Sequence, residues 1–286
     1  LLAVVIGLYF EPHSTKLNDK KNVQANFNNR QHLKEYFLTR LQQLIPNPDS
    51  AKNKVPLYFV LANGGASRSG YWTASVLAKM EDLSKENFSK HLFCLSGASG
   101  GSVGNAAFFS ILRSKNQIEK SDTAFLKEAK TYLKSDFLTY TIARMLGPDV
   151  FRHIIPLKAI DDRASALAHA LENASGKDSF LDDSMSCRFS EFITQKNNAD
   201  YSLPILCINT TRMQDGSPGV FSTIDVSDSY FNKRVDVLDL LREEKDIKLS
   251  TAVVLGASFP YLSPAGRVDH KVELEKRKAD GTPDSV

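Results

Sequence analysis

Two apolar runs that each end in glycine and then turn helical constrain this chain more than anything else in it. The first, at 55–62, gives way to Asn63-Gly64-Gly65-Ala66-Ser67-Arg68-Ser69-Gly70, and a helical pattern follows at 71–83 with Trp72, Val76, Leu77 and Met80 recurring at helical spacing. The second, His91-Leu92-Phe93-Cys94-Leu95, gives way to Gly97-Ala98-Ser99-Gly100-Gly101 and a helical run at 102–112. Strand–glycine–helix units about thirty residues apart predict neighbouring parallel strands. A parallel sheet brings such loops together at its carboxyl edge, where open α/β sheets place ligands. The expectation is an α/β fold with a central, mainly parallel sheet flanked by helices.

The second glycine cluster has the setting of a nucleophile elbow. A serine at the tip of a sharp strand-to-helix turn takes strained backbone angles, so small residues are needed two before and two after it. Gly97 and Gly101 stand at those places. The helix that follows turns its unpaired N–H groups toward the serine oxygen, which favours the alkoxide and the oxyanion it generates. Backbone N–H groups of the first loop are then placed to meet the carbonyl oxygen that Ser99 attacks. A tight structural turn is the simpler alternative, and a phosphate loop is a third. The phosphate loop fits poorly, because neither cluster ends in Gly-Lys-Ser/Thr or spells G-x-G-x-x-G.

Gly64-Gly65-Ala66-Ser67-Arg68 is similar to the G-G-G-x-R/K oxyanion loop of patatin-like phospholipases, and Gly97-Ala98-Ser99-Gly100-Gly101 resembles their G-x-S-x-G elbow. Cytosolic phospholipases A2 share this arrangement. The strand-like run Cys207-Ile208-Asn209-Thr210-Thr211 and the segment 249–265 also look like bacterial members, so the similarity spans 55–267. The resemblance implies a patatin-like fold and a Ser–Asp dyad hydrolase of lipid acyl esters that uses no catalytic histidine. Ser99 is then the nucleophile, the N–H groups of Gly64, Gly65, Ala66 and Gly100 hold the oxyanion, and Arg68 holds the loop or meets a lipid phosphate. Of the six histidines, His13, His32, His91, His153, His169 and His270, none sits at a recognisable third-partner motif, and His270 stays open as a base. The chain departs from the family at the dyad aspartate, which belongs in a D-G-G or D-G-A motif after Phe259-Pro260. Only Asp280-Gly281-Thr282 begins that way, within a charged, turn-like stretch, so the reading favoured here puts the aspartate beyond Val286.

The chain opens on ten apolar or small residues, 1–10, read as the end of a transmembrane helix; a buried strand is the alternative. Residues 11–54 follow as linker and covering helix, with Leu33, Phe37, Leu41 and Leu44 on one stripe, and 55–286 as the catalytic domain, truncated at its end. A net charge of +3 without a block of like charge gives nucleic acid no footprint, while leaving a membrane surface open as partner. Three cysteines, Cys94, Cys187 and Cys207, form no disulfide framework and point to a reducing compartment, the cytoplasmic side of a membrane. No cofactor is implied, and no metal, since no His/Cys/Asp cluster has ligand spacing. Between the elbow and the later strands lies a helical insertion with Asp161 or Asp162 as a cap, rich in apolar residues from Phe137 to Ile155, which packs on the sheet or serves as lid or acyl-chain wall. Two competing functions remain: a non-catalytic membrane-associated protein on the same fold, and a soluble esterase or thioesterase.

Overall fold

The computed structural model describes residues 15–19, 27–45, 54–115, 124–152, 161–174, 181, 184–193, 203–213, 215–227, 231, 234–241, 244–259, 264–268, 276–277 and 283–284. Helix α1 (Leu33–Leu44) precedes strand β1 (Tyr58–Ala62), which leads through the first glycine loop into α2 (Ala66–Leu83). A short helix, α3 (Asn87–His91), delivers the chain to β2 (Leu92–Ala98), the elbow and α4 (Gly100–Arg113). His91 therefore closes a helix, and the elbow strand starts one residue later.

β1 and β2 are parallel, with Val60 opposite Leu95 and Ala62 opposite Gly97. β3 (Ile205–Thr211) lies parallel on the other side of β2, with Gly97 opposite Ile208 and Ala98 opposite Asn209. β4 (Pro218–Ser222) runs antiparallel to β3, and β5 (Val235–Asp236) parallel to β4, giving the order β1-β2-β3-β4-β5. The α/β class and the mostly parallel, helix-flanked sheet are as the two glycine units predict. β1 comes from an apolar run in sequence but is the sheet's edge among the described residues, and Phe59 and Leu61 are 61% and 80% exposed.

The larger core fills one face of the sheet. There α4 lies between Leu95, Leu206 and Ile208 of the strands and Ala74, Leu77 and Ala78 of α2, and Phe108, Phe109, Ile111 and Leu112 are fully buried. A helix apolar on all sides belongs in such a place. The insertion supplies α5 (Ala124–Leu133), α6 (Thr139–Leu146), α7 (Pro148–Arg152), α8 (Arg163–Glu172) and α9 (Phe189–Ile193), and α10 (Leu249–Gly256) follows the sheet. Asp162 caps α8 as expected, its carboxylate accepting from the Ser165 N–H at 2.7 Å. The insertion's apolar residues divide: Phe137 packs on Tyr132 with the rings tilted, while Leu138, Tyr140 and Leu146 are exposed.

On the second face α1 covers the lower part of the sheet, rotated from the predicted stripe. Tyr36 and Arg40 are buried and Phe37 is exposed. Tyr36 packs on Phe93 and donates to the Leu203 carbonyl at 2.7 Å, and Arg40 donates to the carbonyls of Ser89 and Leu92. These polar ends find backbone acceptors beneath the helix, a preference that an apolar stripe does not register. No helix among the described residues is long and apolar enough to cross a membrane. The opening run 1–10, His13, His153, His270, Ile154, Ile155, Asp269 and Asp280 lie outside the described residues.

Candidate active site

Ser99 sits where β2 ends and α4 begins, half-buried, with φ 52° and ψ −128°. A non-glycine residue reaches such angles only when its surroundings over-determine them, at a cost of about 1–3 kcal/mol. Those surroundings are tight. A Cβ at Gly97 would stand 2.7 Å from the Ser102 nitrogen, and one at Gly101 would stand 2.3 Å from the Ala62 oxygen. The two flanking glycines are thus required for the reason the motif predicts. The Ser99 N–H is anchored to the carbonyl of Gly256 at the end of α10, 3.0 Å away, and its own carbonyl accepts from Ser102 and Val103 in the first turn of α4.

The first glycine loop closes over this turn. An ideal Cβ on Gly64 would lie 3.1 Å from Cβ and 3.6 Å from Oγ of Ser99, and one on Gly100 would overlap the Ala66 carbonyl oxygen at 1.9 Å. Gly65 is the N-cap of α2, and Ala66, its first residue, is held at φ 51°. Ser69 fastens the loop from within, its hydroxyl donating to the Asn63 carbonyl and its N–H to that of Gly65. The structure therefore brings Ser99, Gly64, Ala66 and Gly100 together. The N–H groups of Gly64, Gly65 and Gly100 have no acceptor among the described residues. Unpaired N–H groups beside a strained serine, at the N-termini of two helices, favour negative charge there. Arg68 is exposed on the first turn of α2, at the rim rather than against Ser99. Among the described residues no side chain hydrogen-bonds to the Ser99 hydroxyl.

Behind the elbow, on the sheet's second face, lies a polar chain that the sequence reading did not assign. Asn209 Nδ2 donates to the Ser96 hydroxyl at 3.0 Å and to the Gly97 carbonyl at 2.8 Å, and its Oδ1 accepts from Arg234 Nη1 at 2.8 Å. Asn209 was visible only as part of a strand-like segment, and Arg234 had no local signal at all. Cys94 and Cys207 line the same face as free thiols, and the hydrogen bond between them, with burial, pushes the Cys94 thiol up. Among the described residues the carboxylates close enough to share a cation are Asp225, Asp236 and Asp239, and Arg30 is salt-bridged to the last two.

No protein-family model matches the chain, and no curated protein matches it. Among solved structures, it is similar to human GIVD cytosolic phospholipase A2 in complex with methyl gamma-linolenyl fluorophosphonate, at 15% identity and a TM-score of 0.47, over 91% of this chain and 39% of that one. The heterodimeric ExoU-SpcU complex from the type III secretion system of Pseudomonas aeruginosa matches at 15% identity and a TM-score of 0.37, over 78% of this chain and 39% of that chain. This chain thus spans less than two fifths of the length of either.

Proposed function

We infer that this chain carries a serine lipid acyl hydrolase of patatin-like arrangement. The observation that carries the reading is the meeting of a strained Ser99 with a glycine loop whose N–H groups are unpaired. Ser99 Oγ attacks the ester carbonyl, and the oxyanion forms among the N–H groups of Gly64, Gly65, Ala66 and Gly100. Collapse expels the lipid alcohol and leaves an acyl-enzyme, which water hydrolyses. An aspartate takes the proton from Ser99 and delivers it to the departing alcohol, then takes one from the attacking water and returns it to Ser99 Oγ. In this chain Asp280 begins the required Asp-Gly pattern, and an aspartate following Val286 is the other choice. A lipid substrate places the site at a membrane surface, with the thiols in a reducing compartment.

A fluorophosphonate probe and a lipid ester test this directly. The expected result is one labelled serine, Ser99, and loss of both labelling and hydrolysis in Ser99→Ala. Hydrolysis that falls in Asp280→Asn identifies the base, whereas activity that appears only when sequence following Val286 is added assigns it there. A folded chain that labels at no serine, in either form, would leave the non-catalytic membrane-associated reading in possession.

A further inference from the structure

We propose that Arg234 is an anion anchor of the same site, holding the phosphate of an acyl-lipid headgroup beside Ser99. This rests on the hydrolase reading only for what happens to the lipid next, not for the binding itself.

Strand register gives Arg234 its place. Val235, the next residue, is opposite Gly219, which is opposite Thr210, one step beyond the Ala98–Asn209 pair that ends at the elbow. Arg234 therefore stands at the carboxyl edge of β3, the edge from which Ser99 projects. Its side chain crosses to Asn209, and Asn209 in turn holds the carbonyl of Gly97, two residues before Ser99. A chain of two hydrogen bonds, each 2.8 Å, thus fixes the guanidinium relative to the nucleophile.

The nature of the tether matters more than its length. Arg30, Arg113, Arg163 and Arg212 each stand beside a carboxylate. Arg234 is held by a neutral amide and is exposed. Its position is set by that bond, and among the described residues no carboxylate pairs with its charge. A guanidinium so placed suits a phosphate oxygen, because planar paired donors match the geometry of that group. Arg68, exposed on the first turn of α2, follows edge strand β1, whereas Arg234 precedes β5 at the other end of the sheet.

The test uses the whole chain with Ser99→Ala, so that no ligand is consumed, and reads binding by calorimetry. The probes are dioctanoyl phosphatidate, dioctanoylglycerol and inorganic phosphate. The phosphatidate is expected to bind about tenfold or more tightly than the uncharged diacylglycerol. Arg234→Gln should erase that preference while leaving diacylglycerol binding and the melting temperature unchanged, and Arg234→Lys should keep part of it. A preference that survives Arg234→Gln, or equal binding of the two lipids, overturns the proposal. Binding of inorganic phosphate as tight as that of phosphatidate assigns the site to free phosphate and overturns the headgroup assignment. An Arg234-dependent preference in a chain that hydrolyses no ester would sustain the anchor and sink the hydrolase reading instead.

Discussion

Arg30 and Ser99 are both polar groups at the sheet, the first buried and the second half-buried, and they are treated in opposite ways. Arg30 is fully buried and every donor is used: Nε reaches the Phe27 carbonyl, Nη1 those of Ser222 and Ile224, and Nη2 the carboxylates of Asp236 and Asp239 at 2.8 and 2.7 Å. At the elbow the backbone is strained, and the N–H groups of Gly64, Gly65 and Gly100 lack acceptors among the described residues. Where polar groups are paired off completely, the constellation holds the fold together. Where the turn is strained and loop N–H groups have no acceptor among the described residues, the polar groups do not tie the fold together in that way. Changes at the first should therefore move stability, and changes at the second should move turnover.

The largest expected effect is at the nucleophile. Ser99→Ala removes one oxygen and leaves the backbone angles as strained as before, so the thermal midpoint should hold while hydrolysis falls by about 10⁶-fold. A parallel loss of stability would break the contrast, and so would residual turnover in the folded variant.

Arg30→Met should do the converse. It leaves Asp236 and Asp239 without their cation, and breaking a buried pair this way costs about 3–5 kcal/mol. The loss also has a pH sign. Burial already pushes the Asp236 carboxyl up, against the pull of Arg30. A carboxyl raised in the folded state contributes stability that is complete below its ordinary value and lost as pH rises through the folded one. Removing Arg30 takes away the group that holds it down. The deficit should thus be smaller at about pH 4 than at about pH 7, as read from urea unfolding at each pH. An equal deficit at both would mean that Arg30 acts through its carbonyl contacts alone.

Gly65→Val tests the loop. Its Cβ would stand 3.0 Å from that of Ser69, which fastens the loop to Asn63. The N–H groups should be forced off the oxyanion, and losing one such donor costs about 10²–10³ in rate. Unchanged kcat in the folded variant would make the loop structural only.

The two regions also differ in how well the sequence announced them. Glycine at 97, 100 and 101 is a local signal, because close approach excludes a Cβ whatever the rest of the chain does, and the sheet follows from two strand–glycine–helix units in series. Asp162 at its cap was equally local. The Arg30 network joins residues about two hundred positions apart, and Arg234 reaches Asn209 across an intervening strand. Nothing in the spacing of ordinary charged residues encodes such meetings. The rotation of α1 and the edge position of β1 escaped for a related reason: an apolar run states that it is apolar, not which neighbour will cover it.

Ala66 gives the smallest effect and the finest test of the contrast. It stands where the glycine-loop pattern has its third glycine, and it is held at φ 51°, a conformation that costs an alanine about 1–2 kcal/mol. Glycine would adopt it freely, at an entropic cost of about 0.5–1 kcal/mol in the unfolded chain. Ala66→Gly should therefore stabilise the fold by about 0.5 kcal/mol. Its N–H keeps its direction, since the overlap that fixes the loop involves the Ala66 carbonyl and Gly100 rather than the methyl group. Turnover should consequently be unchanged within a factor of about two. Urea midpoints and kcat measured on the same preparations decide the matter. A midpoint that falls would show the exposed methyl making a contact worth more than the strain, and a midpoint that rises while kcat drops would mean that the strain at Ala66, like that at Ser99, serves the site.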